Sequence, residues 1–172
     1  VVDVRDYNWE GDELVVVPDD ELVIYEMNVR GFTKHSSSGV RHPGTFSGVI
    51  EKIPYLKELG ITAVELLPVM AFDPQSVPDS CPTGINFWGY NTTSFFSPHP
   101  DYCVTPERGT HAREFRDMVK ALHDAGIAVI LDVVFNHTAE AGHDGPQINF
   151  KGFCNEFFYH LEPEDRYLSL IH

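Results

Sequence analysis

Basic residues are scarce in this chain. Twelve Lys and Arg stand against 26 Asp and Glu, a formal charge of −14. A surface that tracks phosphates needs clustered cations to displace counterions, so no nucleic-acid partner is expected. Long apolar runs are missing too. None reaches the about 18 residues that a spanning helix needs, so no membrane partner is expected. Cysteine is sparse and odd in number: Cys81, Cys103 and Cys154 form neither a zinc spacing nor a disulfide framework. A reduced, cytoplasmic setting follows. Phosphate-cradling loops are absent, since Gly31-Phe32-Thr33-Lys34 carries neither G-x-G-x-x-G nor Walker spacing, which demotes nucleotide binding. The beginning, Val1-Val2-Asp3, has neither a Met nor the apolar core of a signal peptide. The end, Leu168-Ser169-Leu170-Ile171-His172, stops in an apolar stretch with no cap or polar tail. Both ends read as cuts through a longer chain.

What is present is the make-up of an ordinary globular domain. The 172 residues are 42% hydrophobic and 22% charged, enough for one sizeable core. Aromatic residues, at 12%, suit both core packing and contacts with sugars. Residues 1–20 are polar and turn-rich and read as a linker, and 21–172 as one domain. A strand is expected over Leu22 to Arg30. Its alternation puts Val23, Tyr25, Met27 and Val29 on one face and Ile24, Glu26, Asn28 and Arg30 on the other. A Ser-, Gly- and His-rich loop, Thr33 to Gly44, follows. Thr45 or Ser47 is the expected cap of a helix carrying Val49, Ile50 and Ile53. Pro54 should break that helix and begin a second short piece, ending at Gly60. A strand over Ala63 to Leu67 comes next.

Thr110 is the expected N-cap of a longer helix whose Phe115, Met118, Val119 and Leu122 keep the i, i+3, i+4, i+7 stripe. Gly126 ends it, and a strand runs from Ile127 to Val134. Leu56 to Ile61 and Leu122 to Ile127 are thus one unit written twice: helix, glycine stop, buried strand. Strands separated by helices demand parallel pairing through crossovers. An α/β fold follows, doubly wound or barrel. Ligands of such folds meet the carboxyl ends of the strands. Those ends are Arg30-Gly31, Pro68-Val69 and Asn136-His137. The long loop from Met70 to about Gly109 carries Asn86-Phe87-Trp88-Gly89-Tyr90-Asn91. Trp and Tyr rings beside a glycine offer the broad faces on which a sugar's C–H groups pack. Asp132, in an apolar strand, reads first as a paired carboxylate, because an unpaired one there is costly. Buried charges demand partners, so a polar network around Arg30, reaching Glu26, Glu65 or Asp132, is expected.

Taken together, three segments resemble the α-amylase superfamily of glycoside hydrolases, and within it the isoamylase and glycogen-debranching type. They are Ile24-Tyr25-Glu26-Met27-Asn28-Val29-Arg30, Phe87-Trp88-Gly89-Tyr90 and Leu131-Asp132-Val133-Val134-Phe135-Asn136-His137. The last is similar to the family's first signature region and is the most specific. The resemblance implies a (β/α)8 TIM barrel represented by its first three βα units only, with the loop after strand three beginning near residue 138. It implies a retaining hydrolase of α-1,6 branch linkages in glycogen or a related α-glucan, with a pullulanase-type enzyme or a non-catalytic glucan-binding relative as alternatives.

Site roles follow from the resemblance residue by residue. Tyr90 would be the platform under the sugar whose bond is cut, and His137 would hydrogen-bond its hydroxyls. Asp132, Asn136, Trp88 and Arg30 would support them. No cofactor is expected. In some relatives the position matching Asn136 takes part in calcium binding, so calcium alone stays open. The carboxylate pair that such an enzyme needs, about 5 Å apart, has no matching signature here. Glu162, Glu164 and Asp165 read as a solvated loop, so no residue of this chain is expected to be nucleophile or acid/base. On this reading the 172 residues alone would be inactive. The setting would be the cytoplasm, or a plastid in a plant.

Overall fold

Two glycines set the chain's rhythm. Gly60 (φ 79°) and Gly126 (φ 75°) both take the left-handed conformation, and the hydrogen bonds around them are the same. Gly60 N donates to Lys57 O and Ile61 N to Leu56 O, both at 3.0 Å; Gly126 N donates to His123 O at 2.8 Å and Ile127 N to Leu122 O at 2.9 Å. This double closure satisfies the last carbonyls of a helix, and glycine adopts the required backbone without a Cβ penalty. Each time, a buried isoleucine follows and a strand begins.

The computed structural model describes residues 4–77, 80–107, 109–136, 138–140 and 145–161. It divides into two units, Val1–Val69 with Pro98–Asp132, and Met70–Ser97 with Val133–His172. In the first unit β1 (Ile24–Met27), β2 (Ala63–Leu66) and β5 (Ala128–Leu131) form one sheet. Both pairings are parallel, in the order β1-β2-β5, as the repeated unit predicts. Helices α1 (Val29–Lys34), α2 (Phe46–Glu51), α3 (Ile53–Glu58) and α4 (Thr110–Asp124) belong to the same unit. Leu56, Leu66, Met118 and Leu122 are fully buried, each contributing about 1.5–3 kcal/mol by leaving water. Phe46 joins helices to core, edge-on to Phe115 at 5.5 Å and to Tyr102 at 5.8 Å.

The polar face of α4 is occupied as well. Tyr7 donates to Asp117 at 2.7 Å, Lys120 pairs with Glu10, and His123 meets Asp12. Arg116 lies over the rings of Tyr7 and Trp9. Helical spacing brings 116, 117, 120 and 123 onto adjoining rows, so residues 7–12 are strapped along the helix.

The structure differs from expectation in several places. The first strand is not Leu22 to Arg30 but Ile24–Met27, because Asn28 Oδ1 accepts the Gly31 amide at 2.9 Å and starts α1. An Asn cap satisfies an otherwise orphaned amide, and it carries Val29 and Arg30 off the strand. Thr45 does cap α2, through Gly48 N; Ser47 lies inside that helix. The break before Pro54 occurs at Lys52, and Pro54 falls in the first turn of α3, where its missing N–H costs nothing. Thr110 is not a cap: Gly109 occupies that position, and the Thr110 hydroxyl donates to the Thr105 and Glu107 carbonyls. The third strand is shorter than Ile127 to Val134. The expected loop from Thr33 to Gly44 begins as the last turn of α1 and contains a 3-10 turn, Ser36–Ser38.

The second unit contains residues 70–97 of what the sequence suggested was one long loop. It holds a two-stranded sheet of β3 (Met70–Phe72) and β4 (Thr92–Pro98), and then α5 (Lys151–Phe158). Thr93 Oγ1 donates to Ala71 O, and Asn149 Nδ2 to Thr93 O.

Candidate glucan site

Trp88 and Tyr90 sit on a turn in the second unit that is fixed by amides. Asn86 Oδ1 accepts the Gly89 N–H at 3.1 Å, its Nδ2 donates to Asn91 Oδ1, and Asn91 Nδ2 donates to Ser76 Oγ at 2.9 Å. Gly89 has φ 77°, and a Cβ there would lie 2.6 Å from the Phe72 ring. Both conformation and space therefore require glycine. The result is a pair of half-exposed rings, Trp88 at 53% and Tyr90 at 43%, with Phe87 edge-on to Trp88 at 5.0 Å. Asn136 is exposed in the same unit. His137 lies outside the described residues, as do Glu162, Glu164 and Asp165.

Arg30 and Asp132 belong to the first unit. Arg30 follows β1 within the first turn of α1, and Asp132 follows β5, its amide donating to Leu66 O at 2.9 Å. The expected network around Arg30 is not formed. Its ion-pair partner is Asp101 at 4.0 Å, both side chains about half exposed, rather than Glu26, Glu65 or Asp132. The Asn28 cap is the reason, because it points residue 30 along a helix instead of a strand. Asp101 also lies 3.7 Å from Nε2 of His99. Burial lowers the affinity of the His99 ring for a proton, Asp101 opposes that shift and Arg30 adds to it. Burial pushes the neighbouring Tyr102 phenol up, while the Asn28 amide and Arg30 draw it back.

Sequence reasoning missed Glu140. It is 2% exposed, and its carboxylate accepts three backbone N–H groups and the Tyr159 hydroxyl. Burial alone would raise its pKa. Hydrogen bonds from the Asn149 amide, Tyr159 and the Lys151 and Ile148 amides outweigh burial and hold it below the ordinary carboxylate range. The signal was an acid three residues after the signature histidine, but its partners are 8 to 19 positions on. Among the described residues no group of three His, Cys, Asp or Glu side chains would hold a metal ion. No helix among the described residues is long and apolar enough to cross a membrane.

The chain is similar to isoamylase 1, chloroplastic, of Oryza sativa subsp. japonica, at 48% identity over 166 residues, covering 95% of this chain and 20% of that protein. It is 46% identical over 165 residues to the glycogen operon protein GlgX homolog of Mycobacterium tuberculosis (strain ATCC 25618 / H37Rv), covering 92% of this chain and 22% of the relative. It therefore spans about a fifth of the length of these curated relatives. Among solved structures it is similar to a pullulanase from Paenibacillus barengoltzii in complex with maltohexaose and alpha-cyclodextrin. The TM-score is 0.76 and the identity 28%, over 91% of this chain and 26% of the other. Residues 19–159 match the family described as the alpha amylase catalytic domain, and this chain belongs to that family.

Proposed function

We propose that this chain is part of a retaining glycoside hydrolase that cleaves α-1,6 branch linkages in glycogen or a related α-glucan. The observation that carries the reading is the 48% identity to a plant isoamylase over 166 residues. In this reading β1, β2 and β5 are the first three strands of a (β/α)8 barrel, and residues 1–20 lead into it. Tyr90 is the platform beneath the sugar being cut, with Trp88 beside it. His137 donates to that sugar's hydroxyls, and Asn136, Asp132 and Arg30 support the site. The nucleophile and acid/base come from the remainder of a longer protein, so the 172 residues alone hydrolyse nothing. The protein works in the cytoplasm, or in a plastid if its source is a plant.

A pullulanase-type specificity is the second reading, favoured by the 0.76 TM-score to a pullulanase. Both need retention of anomeric configuration. The test is to supply the full-length protein with glycogen and with pullulan, measure reducing ends, and follow the first-formed anomer by proton NMR. Preference for glycogen and release of the α-anomer are expected. Removing Tyr90 (Tyr90→Ala) or His137 (His137→Ala) should lower turnover about 10²-fold. Release of the β-anomer, or mutants at the parent rate, overturns the assignment.

A further inference from the structure

Two features of the second unit meet at Phe150. The first is the buried Glu140 carboxylate. It accepts the amides of Ile148 at 2.8 Å, Asn149 at 2.6 Å and Lys151 at 3.1 Å, and the Tyr159 hydroxyl at 2.7 Å. Lys151 Nζ turns back onto the carbonyls of Glu140 at 3.4 Å and Gly145 at 2.8 Å. The backbone on both sides of Phe150 is thereby pinned to one anionic group. Burying such a charge costs several kcal/mol unless its hydrogen bonds are complete, and here they are supplied by the segment it holds.

The second feature is the row of rings that Phe150 joins. It lies parallel to Phe95 (6.5 Å, 6°) and to Phe158 (4.7 Å, 17°), and Phe95 meets Phe135 at 6.2 Å. The two ends of the row are open to solvent, Phe135 at 67% and Phe158 at 46% exposure. Phe135 directly precedes Asn136 and follows the last residue of β5 by four positions. In parallel α/β folds that stretch of chain is where strands deliver side chains to a ligand. The open end rings, Phe135 and Phe158, offer apolar surface to the C–H groups of a glucan, while Phe95 and Phe150, half-buried and stacked between them, fix their spacing.

We propose that Glu140 is a positioning residue for glucan binding: it holds Phe150 in the row Phe135–Phe95–Phe150–Phe158, and an α-1,4-linked glucosyl chain lies against that row. The carboxylate itself does not touch sugar. The inference rests on the α-glucan reading above.

The test uses the full-length protein and its variants Glu140→Gln, Tyr159→Phe and Phe158→Ala. Maltohexaose affinity is measured by titration, and kcat and KM on a branched α-glucan are measured separately. Glu140→Gln and Phe158→Ala should each weaken maltohexaose binding and raise KM about fivefold, a size fitting the loss of one aromatic contact, while kcat is largely retained. Tyr159→Phe, which removes one donor of the clamp, should show the same effect more weakly. A Glu140→Gln protein with a lower melting point but unchanged KM and affinity has a merely structural glutamate, which overturns the proposal. If that variant does not fold, Phe158→Ala decides: parental affinity overturns the proposal and weakened affinity upholds it. A parent that hydrolyses no branched glucan, yet binds maltohexaose through Phe158, overturns the hydrolase reading and upholds this one. A parent that hydrolyses, with Phe158→Ala unaffected, overturns this one alone.

Discussion

Nδ1 of His123 stands 3.0 Å from both carboxylate oxygens of Asp12, 111 positions earlier in the chain, and both side chains are less than a tenth exposed. A buried imidazole that loses its partner retains the full cost of desolvation. Asp12→Ala should therefore destabilise the protein by about 1–3 kcal/mol. It should also release the strap that Tyr7 and Glu10 hold only by exposed contacts. Thermal melts give the first quantity. Faster proteolytic cleavage within residues 7–12, with α4 left intact, checks the second.

This strap shows what the sequence leaves unreadable. Residues 7–12 look like a linker because their partners lie more than a hundred positions away, whereas the two helix–glycine–strand units are local and were legible from Leu56–Ile61 and Leu122–Ile127. A Schellman closure needs a left-handed residue at a fixed offset, so glycine marks it in the sequence. Asn28 was misread for the opposite reason. Val23 to Val29 keeps strand alternation, and nothing in that periodicity reveals that an Asn side chain will accept Gly31 N and begin a helix. The aromatic turn at Trp88 and Tyr90 could be named from composition, but the amide lattice of Asn86 and Asn91 that fixes it could not. Glu140 escaped notice because a carboxylate that binds backbone amides leaves no side-chain pattern among its partners.

Gly89 and Gly126 should respond differently to the same substitution. A Cβ on Gly126 meets nothing within 4 Å, so Gly126→Ala should cost only the left-handed backbone, about 1–2 kcal/mol. Gly89→Ala adds a collision with the Phe72 ring, 2.6 Å from the new Cβ, for about 1–3 kcal/mol more. Denaturant midpoints measure the two costs. Changed tryptophan emission in Gly89→Ala, but not in Gly126→Ala, would show that the Trp88 turn has moved. Equal losses of stability would contradict the close approach.

The cysteines should divide by reactivity. Burial, with Glu114 and Asp101 nearby, pushes the Cys103 thiol up to about 12. Cys81 is drawn below its ordinary value by the Thr83 hydroxyl, 3.4 Å from its sulfur, and by the amides of Thr83, Gly84 and Ile85. The thiolate is the reactive species. Brief treatment of the native protein with iodoacetamide at neutral pH should alkylate Cys81 and leave Cys103 unmodified, as read by peptide mass spectrometry. Cys103 labelling at the rate of Cys81 would contradict its burial.

Glu51 and Glu140 should together set the acid limit of stability. Both are carboxylates that clamp backbone. Glu51 accepts the amides of Arg41 at 2.8 Å and His42 at 3.2 Å, and these bonds, the Arg41 amide foremost, lower its pKa. Glu140 is lowered by its own cage despite its burial. A carboxylate whose folded pKa lies below its unfolded value, about 4.3 for Glu, favours the folded state above that unfolded value. The contribution disappears as pH falls through the folded value, because the unfolded chain takes up protons first. Urea midpoints should therefore hold steady from neutral pH to about 5 and drop below it. Glu140→Gln should lose about 1–3 kcal/mol at neutral pH and show a shallower decline on acidification, since one of the two linked protonations is gone. A Glu140→Gln profile parallel to the parent's throughout would mean that the Glu140 carboxyl takes up its proton equally in the folded and unfolded chains, which would contradict the lowering by its hydrogen-bond cage.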